Sequence, residues 1–450
     1  VIDLARYRSL AEAADPTEAS GVVLRVVGLA LVASGPAVPV GETCWVVGAD
    51  RRQRIAVVTG FREGEVMLQT IGHLDGVRPG DRVVARRRRL DVPVGPGLVG
   101  RVVNGVGEPI DGLGPLAGTA RRGIHADPPP PIGRAPIARI LETGLRAIDA
   151  IFTIGHGQRM GIFAGSGVGK STLLGEMAKH ARADVNVIAL VGERGREVGE
   201  FIDKILGPEG LARSVVVVAT SDRPAVERLS AAYAATAIAE SFRDSGLDVL
   251  LMMDSITRLC QAQREIGLAA GEPPVTRGYP PSAFALLPRL LERAGTGAPG
   301  PDGKAGSITG LYTVLIEGDD ENDPVGDTAR AILDGHLFLS RKLAGRAIYP
   351  SIDPALSISR LQVDLASAED YRLSLQAREL WSEFERVRDL VEVGAYRQGA
   401  DPRVDHAIAA QPRLVEFLRQ SLGESSSRDE AVARLRTAVG APAAGRQEAR

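Results

Sequence analysis

Three textures of apolar and polar positions follow one another along the chain. From Gly21 to about Leu90, short β-branched runs (VVLRVVGLALVA, ETCWVVG, RIAVVTGF, DRVVARR) are separated by Gly, Pro and Asp turns. That spacing predicts a small β-barrel. From Ile140 to about Leu361, apolar runs without polar alternation (MGIFAG, VNVIALVG, SVVVVAT, DVLLMMD, ITGLYTVLI, GHLFLS) alternate with helical patterns. Strands buried on both faces read this way. The pattern therefore predicts a mostly parallel sheet between two helix layers, with phosphate binding outside the carboxyl ends of its strands. From Ala366 onward charge and helix formers dominate, and helices are expected over Ala368–Val393 and Arg403–Leu422. Ser425 to Ser427 offers a cap for a last short helix that Gly440 stops, and the tail beyond reads as disordered.

Between these regions lie segments of other character. Residues 1–20 carry a short helical pattern, Leu4, Leu10 and Ala11 among Arg6, Arg8 and Glu12, ending at Pro16. It reads as a solvated leader helix or a docking segment. Pro93 to Gly118 and Asp127 to Pro136 are rich in glycine and proline, and ADPPPP fits neither helix nor inner strand, so 91–136 is expected to drape over the next domain. Gly295 to Gly306 reads as a flexible loop. The expected organisation is a leader (1–20), a barrel (21–90), an α/β domain (91–365) and a helical domain (366–450). The arginine run Arg86 to Arg89 reads as a solvated strand end.

Composition narrows the function. With 450 residues there is room for two or three cores, and 54 basic against 56 acidic residues leave no surplus for general nucleic-acid binding. Aromatic residues are too scarce for base-stacking platforms. Cys44 and Cys260 have no metal-like spacing and read as buried reduced thiols. No signal-peptide pattern opens the chain, and the apolar stretch Gly21 to Ser34 is short and broken by Arg25, so a cytosolic protein is expected.

The chemistry concentrates in Gly161 to Leu174, GIFAGSGVGKSTLL. An apolar run, a glycine-rich turn (Gly165, Ser166, Gly167, Val168, Gly169), Lys170, the hydroxyls Ser171 and Thr172, and a helical pattern stand in the order a phosphate-binding loop requires. Backbone N–H groups of Ser166 to Lys170 would curl around phosphate, Lys170 would reach the β- and γ-phosphates, and Ser171 would ligate Mg²⁺. Ala164 replaces the first glycine of the motif, so the loop alone is a relaxed match. Two acids end core strands downstream. Asp254 closes DVLLMMD, as a carboxylate directed at the Mg²⁺ shell would, with a helix cap as the rival role. Glu193 follows VNVIALVG, where it could polarise the attacking water or pair with Arg194 or Arg196, and spacing does not separate the two.

With VGERGREV, DVLLMMDSITR, GEPPVTRGYPPSAF, AIYPSIDP and LSISR, the chain resembles rotary-type ATPases related to the catalytic subunit of the ATP synthase. More narrowly, GEPPVTRGYPPSAFALLPRLLERAG, GLYTVLIEGDDENDP, DGHLFLSRKLAGRAIYPSIDPALSISR and VEVGAYRQGADPRVDHAI resemble the ATPase family of type III protein export, flagellar or injectisome. The resemblance implies an α/β fold, a RecA-like phosphate-loop ATPase core with an N-terminal small β-barrel and a C-terminal helical domain. It implies ATP and Mg²⁺, Glu193 as catalytic base, and Arg194 and Arg258 near the γ-phosphate. Tyr349 matches the aromatic that stacks on adenine, and Arg360 the arginine that reaches the neighbouring subunit's γ-phosphate. Read alone, Tyr349 would be a core or interface tyrosine and Arg360 a helix-end ion pair.

A chain carrying both loop and finger completes every site only if identical subunits close head to tail, and the family implies six. It further implies a stator-like regulator at the leader, a stalk-like protein in the pore, export chaperone–substrate complexes, and peripheral contact with an export gate at the inner face of the cytoplasmic membrane. LARYRSLAEAADP and NGVGEPIDGLGPL look more flagellar than injectisome-like. The rivals are a rotary synthase catalytic subunit, a noncatalytic ring component and a hexameric RNA translocase. GEPP and GAYRQGADP disfavour the first, Glu193 the second, and the lack of basic aromatic clusters the third.

Overall fold

The computed structural model describes residues 18–28, 30–300, 303–316 and 323–440. The leader pattern falls almost wholly outside the described residues, and so does the tail after Gly440. Six antiparallel strands, β1 (Ser20–Val27), β2 (Ala30–Ala33), β3 (Glu42–Val47), β4 (Gln53–Arg62), β5 (Glu65–Thr70) and β6 (Arg82–Arg89), close a barrel in the order β1-β2-β5-β4-β3-β6. Leu31, Cys44, Val46, Val58, Leu68 and Val83 fill it. The run from Gly21 to Ala33 is two strands, because Gly28 turns the chain at φ 58°. β5 shows no clean alternation, since Val66 to Thr70 are all buried; Gln69 and Thr70 line a small cavity shared with Pro224 to Val226 of the next domain.

The linker is more structured than its composition predicts. β7 (Asp91–Val94) and β9 (Ala120–Gly123) form a ribbon, and β8 (Val102–Asn104) joins the main sheet as an edge strand. ADPPPP lies outside helix and strand, as its prolines require. A second ribbon pairs β10 (Ile140–Leu141) with β11 (Ile154–Gly155). The main sheet adds β12 (Arg159–Ala164), β13 (Val185–Val191), β14 (Ser214–Ala219), β15 (Asp248–Asp254), β16 (Gly295–Thr296), β17 (Ser307–Leu315), β18 (Gly335–Leu339) and β19 (Ile358–Ser359). Its order is β19-β18-β12-β17-β15-β13-β14-β8, parallel except for β19 and for β16, which pairs with β17. The loop expected at Gly295 to Gly306 therefore begins with a strand.

Both faces of this sheet are buried. Alternate residues of β13 divide between two cores, Ile188 and Leu190 on one side, Val187, Ala189 and Val191 on the other. The first side takes helix α1 (Lys170–His180) and the C-terminal helices; the second takes α2 (Ala225–Asp244), α3 (Ile256–Ala269), α4 (Pro281–Leu291) and α5 (Pro324–Ile332). The C-terminal helices are α6 (Ala368–Glu392), α7 (Pro402–Leu418) and α8 (Arg428–Val439), anchored by Trp381, Leu414 and Phe417. Ser427 and Glu430 form a reciprocal cap at the start of α8, and Gly440 ends it. α7 stops at Leu418, short of the expected Leu422, because the chain turns there to wall a cavity. Cys44 and Cys260 are buried and free. Among the described residues, no helix is long and apolar enough to cross a membrane.

Candidate active site

β12 ends at Ala164 and α1 begins at Lys170, so Gly165 to Gly169 span the gap as a tight loop at the carboxyl edge of the sheet. Gly167 and Gly169 hold φ of 77° and 93°, the left-handed region that a β-carbon disfavours. No side chain caps α1, which leaves its first N–H groups to an anion. Ala164 carries the departure from the motif without penalty: its methyl is fully buried in the core. The Ser351 hydroxyl donates to the Val168 carbonyl at 2.7 Å and braces the loop from below.

Lys170 turns inward between two acids. Its Nζ lies 2.6 Å from Asp254 Oδ1 and 3.5 Å from Glu193 Oε1, and all three side chains are largely buried. Thr313 on β17 donates to the same Asp254 oxygen at 2.7 Å. The cap role weighed for Asp254 belongs instead to Ser255, whose hydroxyl accepts the Arg258 N–H, so the Asp254 carboxylate faces Lys170. The ion pairs weighed for Glu193 are absent as well. Arg194 pairs with Glu197 at 3.0 Å and Arg196 with Glu200 at 2.8 Å, both well exposed. Burial draws the Lys170 ammonium down, but Asp254 and then Glu193 outweigh it and hold it above its ordinary value. Burial first, and the Asp254 charge second, push the Glu193 carboxyl up against the pull of Lys170.

Arg258 lies on α3 against the end of β13. Gly192, at φ 73°, makes room for it, because a β-carbon there would stand 2.9 Å from that of Arg258. The Arg258 Nη1 donates to Gln261 at 3.1 Å, while its Nε is buried and lacks a hydrogen-bond partner. Ser171 and Thr172 occupy the first turn of α1, half-buried beside the loop. Tyr349 is 43% exposed, and its ring stands 3.5 Å from where a Gly169 β-carbon would be. With Pro350, Leu145, Ala347 and Arg419 to Leu422 it lines a cavity of about 720 Å³ that opens onto Gly167, Gly169 and Thr172.

Sequence reasoning missed the far wall of this cavity. Gln420 donates its backbone N–H to the Tyr349 carbonyl at 2.8 Å, and the Gly423 N–H reaches Glu176 of α1 at 2.7 Å. The buried Arg146 holds the turn by donating to the carbonyls of Phe417 and Arg419 and to Glu424. A charged residue, Arg146, in the mostly apolar GLRAIDAIF was the available signal. Thr313, a hydroxyl within the buried ITGLYTVLI, was another.

Arg360 stays apart, and Arg194, paired with Glu197, faces solvent. Arg360 follows β19, which pairs with the amino end of β18 (Gly335 opposite Ser359), whereas the phosphate loop adjoins the carboxyl end (Ala164 opposite Leu339). Its exposed guanidinium donates to the Arg330 carbonyl at 3.0 Å, at the end of α5.

Comparison with known proteins agrees with this architecture. Residues 144–359 match the nucleotide-binding domain of the ATP synthase alpha/beta family, 23–87 match the β-barrel domain of that family, and 366–437 match the T3SS EscN ATPase C-terminal domain. The chain is 48% identical to the flagellum-specific ATP synthase of Bacillus subtilis, over 95% of this chain and 97% of the relative. It is 51% identical to the type 3 secretion system ATPase of Xanthomonas euvesicatoria, over 90% of this chain and 91% of the relative. The structure of the assembled ATPase EscN from the enteropathogenic E. coli type III secretion system superposes with a TM-score of 0.87 at 43% identity, covering 93% of this chain and all of that one. The chain thus belongs to the ATP synthase alpha/beta family, in the ATPase branch shared by flagellum-specific ATP synthases and type 3 secretion system ATPases.

Proposed function

We propose that this protein hydrolyses ATP, with Mg²⁺, in a ring of six identical subunits that energises type III protein export. The observation that carries the reading is Lys170 set between Asp254 and Glu193 beside an open phosphate loop. ATP would lay its base in the cavity beside Tyr349 and its phosphates on the loop. Lys170 would then shift from the acids to the β- and γ-oxygens. The donor set fits Mg²⁺, with the Asp254 carboxylate beside Lys170 and the Ser171 hydroxyl in the first turn of α1. This ion is commonly held by one carboxylate, one hydroxyl and phosphate oxygens, the set that Asp254, Ser171 and ATP provide. Bound there, Mg²⁺ would neutralise phosphate charge. Glu193, whose raised proton affinity suits a base, would take the proton of water as the new O–P bond forms and ADP leaves in line. Arg258, with its buried uncommitted Nε, and Arg194 would stabilise the γ-phosphate, and a neighbour's Arg360 would complete the site.

A solved complex of EscN with its central stalk EscO, 42% identical to this chain, supports a stalk-like partner in the pore. We assign a stator-like regulator to the leader, chaperone-bound export substrates to the ring, and a cytoplasmic site of action at the inner face of the membrane export gate. The leader and NGVGEPIDGLGPL favour flagellar export. Injectisome export is the second reading, favoured by the 51% identity to the Xanthomonas ATPase. The deciding experiment deletes the gene in its source organism and complements with the native chain or Glu193→Gln. Loss of filaments restored only by the native chain is expected. Filaments that survive deletion would move the assignment to an injectisome, and rescue by Glu193→Gln would assign the protein to assembly alone.

A further inference from the structure

Arg360 hangs on a strand too short to fix its own position. β19 has two residues, paired only as Ser359 with Gly335 and Ile358 with His336. The pins come from the turn before β12. Gln158 is fully buried; its Oε1 accepts the Gly155 N–H at 2.9 Å, which orients the amide. Its Nε2 then donates to Ser359 Oγ at 3.0 Å and to the Asp334 carbonyl at 3.3 Å. Ser359 Oγ donates onward to the Thr153 carbonyl at 2.9 Å. The same Asp334 carbonyl accepts the backbone N–H of Arg360 at 2.9 Å. Asp334 is itself held by Arg159, whose backbone N–H, Nε and Nη2 reach its carboxylate at 3.0, 3.0 and 3.1 Å. Gly335 completes the seat, since a β-carbon there would stand 2.4 Å from the Ile358 carbonyl oxygen.

We infer that Gln158, acting with Gly335 and the Arg159–Asp334 pair, is a positioning residue for the neighbouring subunit's reaction. It fixes where Arg360 stands at the interface, and it lies at the sheet edge away from its own chain's phosphate loop. This inference rests on Arg360 completing the next subunit's site. The side chains of Ile358 and Arg360 are exposed, so the inner pins set where the guanidinium arrives. Displacing such a group by about 1 Å costs up to about 10²-fold in rate.

The test uses the full chain carrying Gln158→Leu, Gly335→Ala or the milder Ser359→Ala. Each should lower kcat by roughly 10- to 100-fold while binding of a fluorescent ATP analogue stays within about twofold. Each is then mixed with Glu193→Gln. The positioning variant keeps Glu193, and the Glu193→Gln subunit supplies a correctly held Arg360. Activity should therefore return on mixing, with about a quarter of the interfaces in a random equal mixture complete. A merely structural defect would gain nothing from its neighbour. Arg360→Ala mixed with Glu193→Gln is the reference. If that mixture recovers and the positioning variants do not, or if their kcat never falls, the role assigned to Gln158 is wrong. Failure of the reference mixture removes the finger reading and this inference with it. Should Gln158→Leu not fold, Ser359→Ala against the hydroxyl-preserving Ser359→Thr, expected near native, decides the matter.

Discussion

In the proposed reaction the Glu193 carboxyl serves as the base, and its surroundings set the pH at which it can. Burial and the neighbouring Asp254 charge raise its proton affinity, and Lys170 only partly offsets them. The folded protein therefore keeps this proton above the ordinary glutamate pKa of about 4.3. Its contribution to stability is full below that value and is lost as pH rises through the folded one. Activity runs the other way. The acid limb of the kcat/KM profile, which reports the free enzyme, should fall above the ordinary glutamate range, and Glu193→Gln should remove that limb from whatever residual activity remains. A limb at or below about pH 4 would show that another group takes the proton. In the proposed reaction Tyr349 acts before chemistry, by holding the base of ATP. Removing its ring with Tyr349→Ala should raise KM for ATP by roughly 10-fold or more, at about 1–3 kcal/mol per stacked base, with kcat little changed. Tyr349→Phe keeps the ring and should leave KM near native; an equal loss in both variants would place the effect in the hydroxyl.

Elements were legible in the sequence where one texture served one purpose. The six long apolar runs became six core strands because burial on both faces favours apolar residues at nearly every position. Ser427 and Gly440 marked the ends of α8 because caps act locally. What the sequence hid depended on distant partners. β8 is three residues long and exists through its pairing with β14, and the Arg419 to Leu422 turn becomes a cavity wall only because Arg146, more than 250 positions earlier, grips it. At the site, the loop and the positions of Asp254 and Glu193 were legible from strand ends followed by glycine or acid, and Thr313 left a signal as a hydroxyl in an apolar run; Gln158 and Gln420 were hidden because their partners lie far along the chain. The grip of Arg146 is measurable. Arg146→Ala strips two helix-end carbonyls and Glu424 of their buried donor and should lower stability by about 2–4 kcal/mol. KM for ATP should rise with it as the wall loosens. Urea unfolding and steady-state kinetics on one preparation would separate the two effects; a stability loss at unchanged KM would mean the turn contributes nothing to base binding.

For the whole molecule, the distance between loop and finger decides how the protein works. The four steps from Gly335 to Leu339 span about 13 Å at ~3.3 Å per residue, and Arg360 lies at one end of that span with the phosphate loop at the other. Within one chain the guanidinium also leaves its own site aside, bound to the end of α5. On the proposed reading, a solitary subunit holds a loop, a base and a place for ATP, and lacks one cation for the charge that develops on the transferred phosphoryl group. Such a cation is worth about 10³ to 10⁵ in rate. Specific activity should consequently rise with protein concentration as rings close, while ATP binding per subunit stays constant. Arg360→Ala should assemble and bind ATP normally yet keep the low specific activity of the dilute native chain at every concentration. Turnover followed from nanomolar to micromolar protein, alongside sedimentation to report ring formation, distinguishes the outcomes. Native turnover per subunit that ignores dilution through ring dissociation would mean the site is complete in one chain, and the separation of loop from finger would then need another cause.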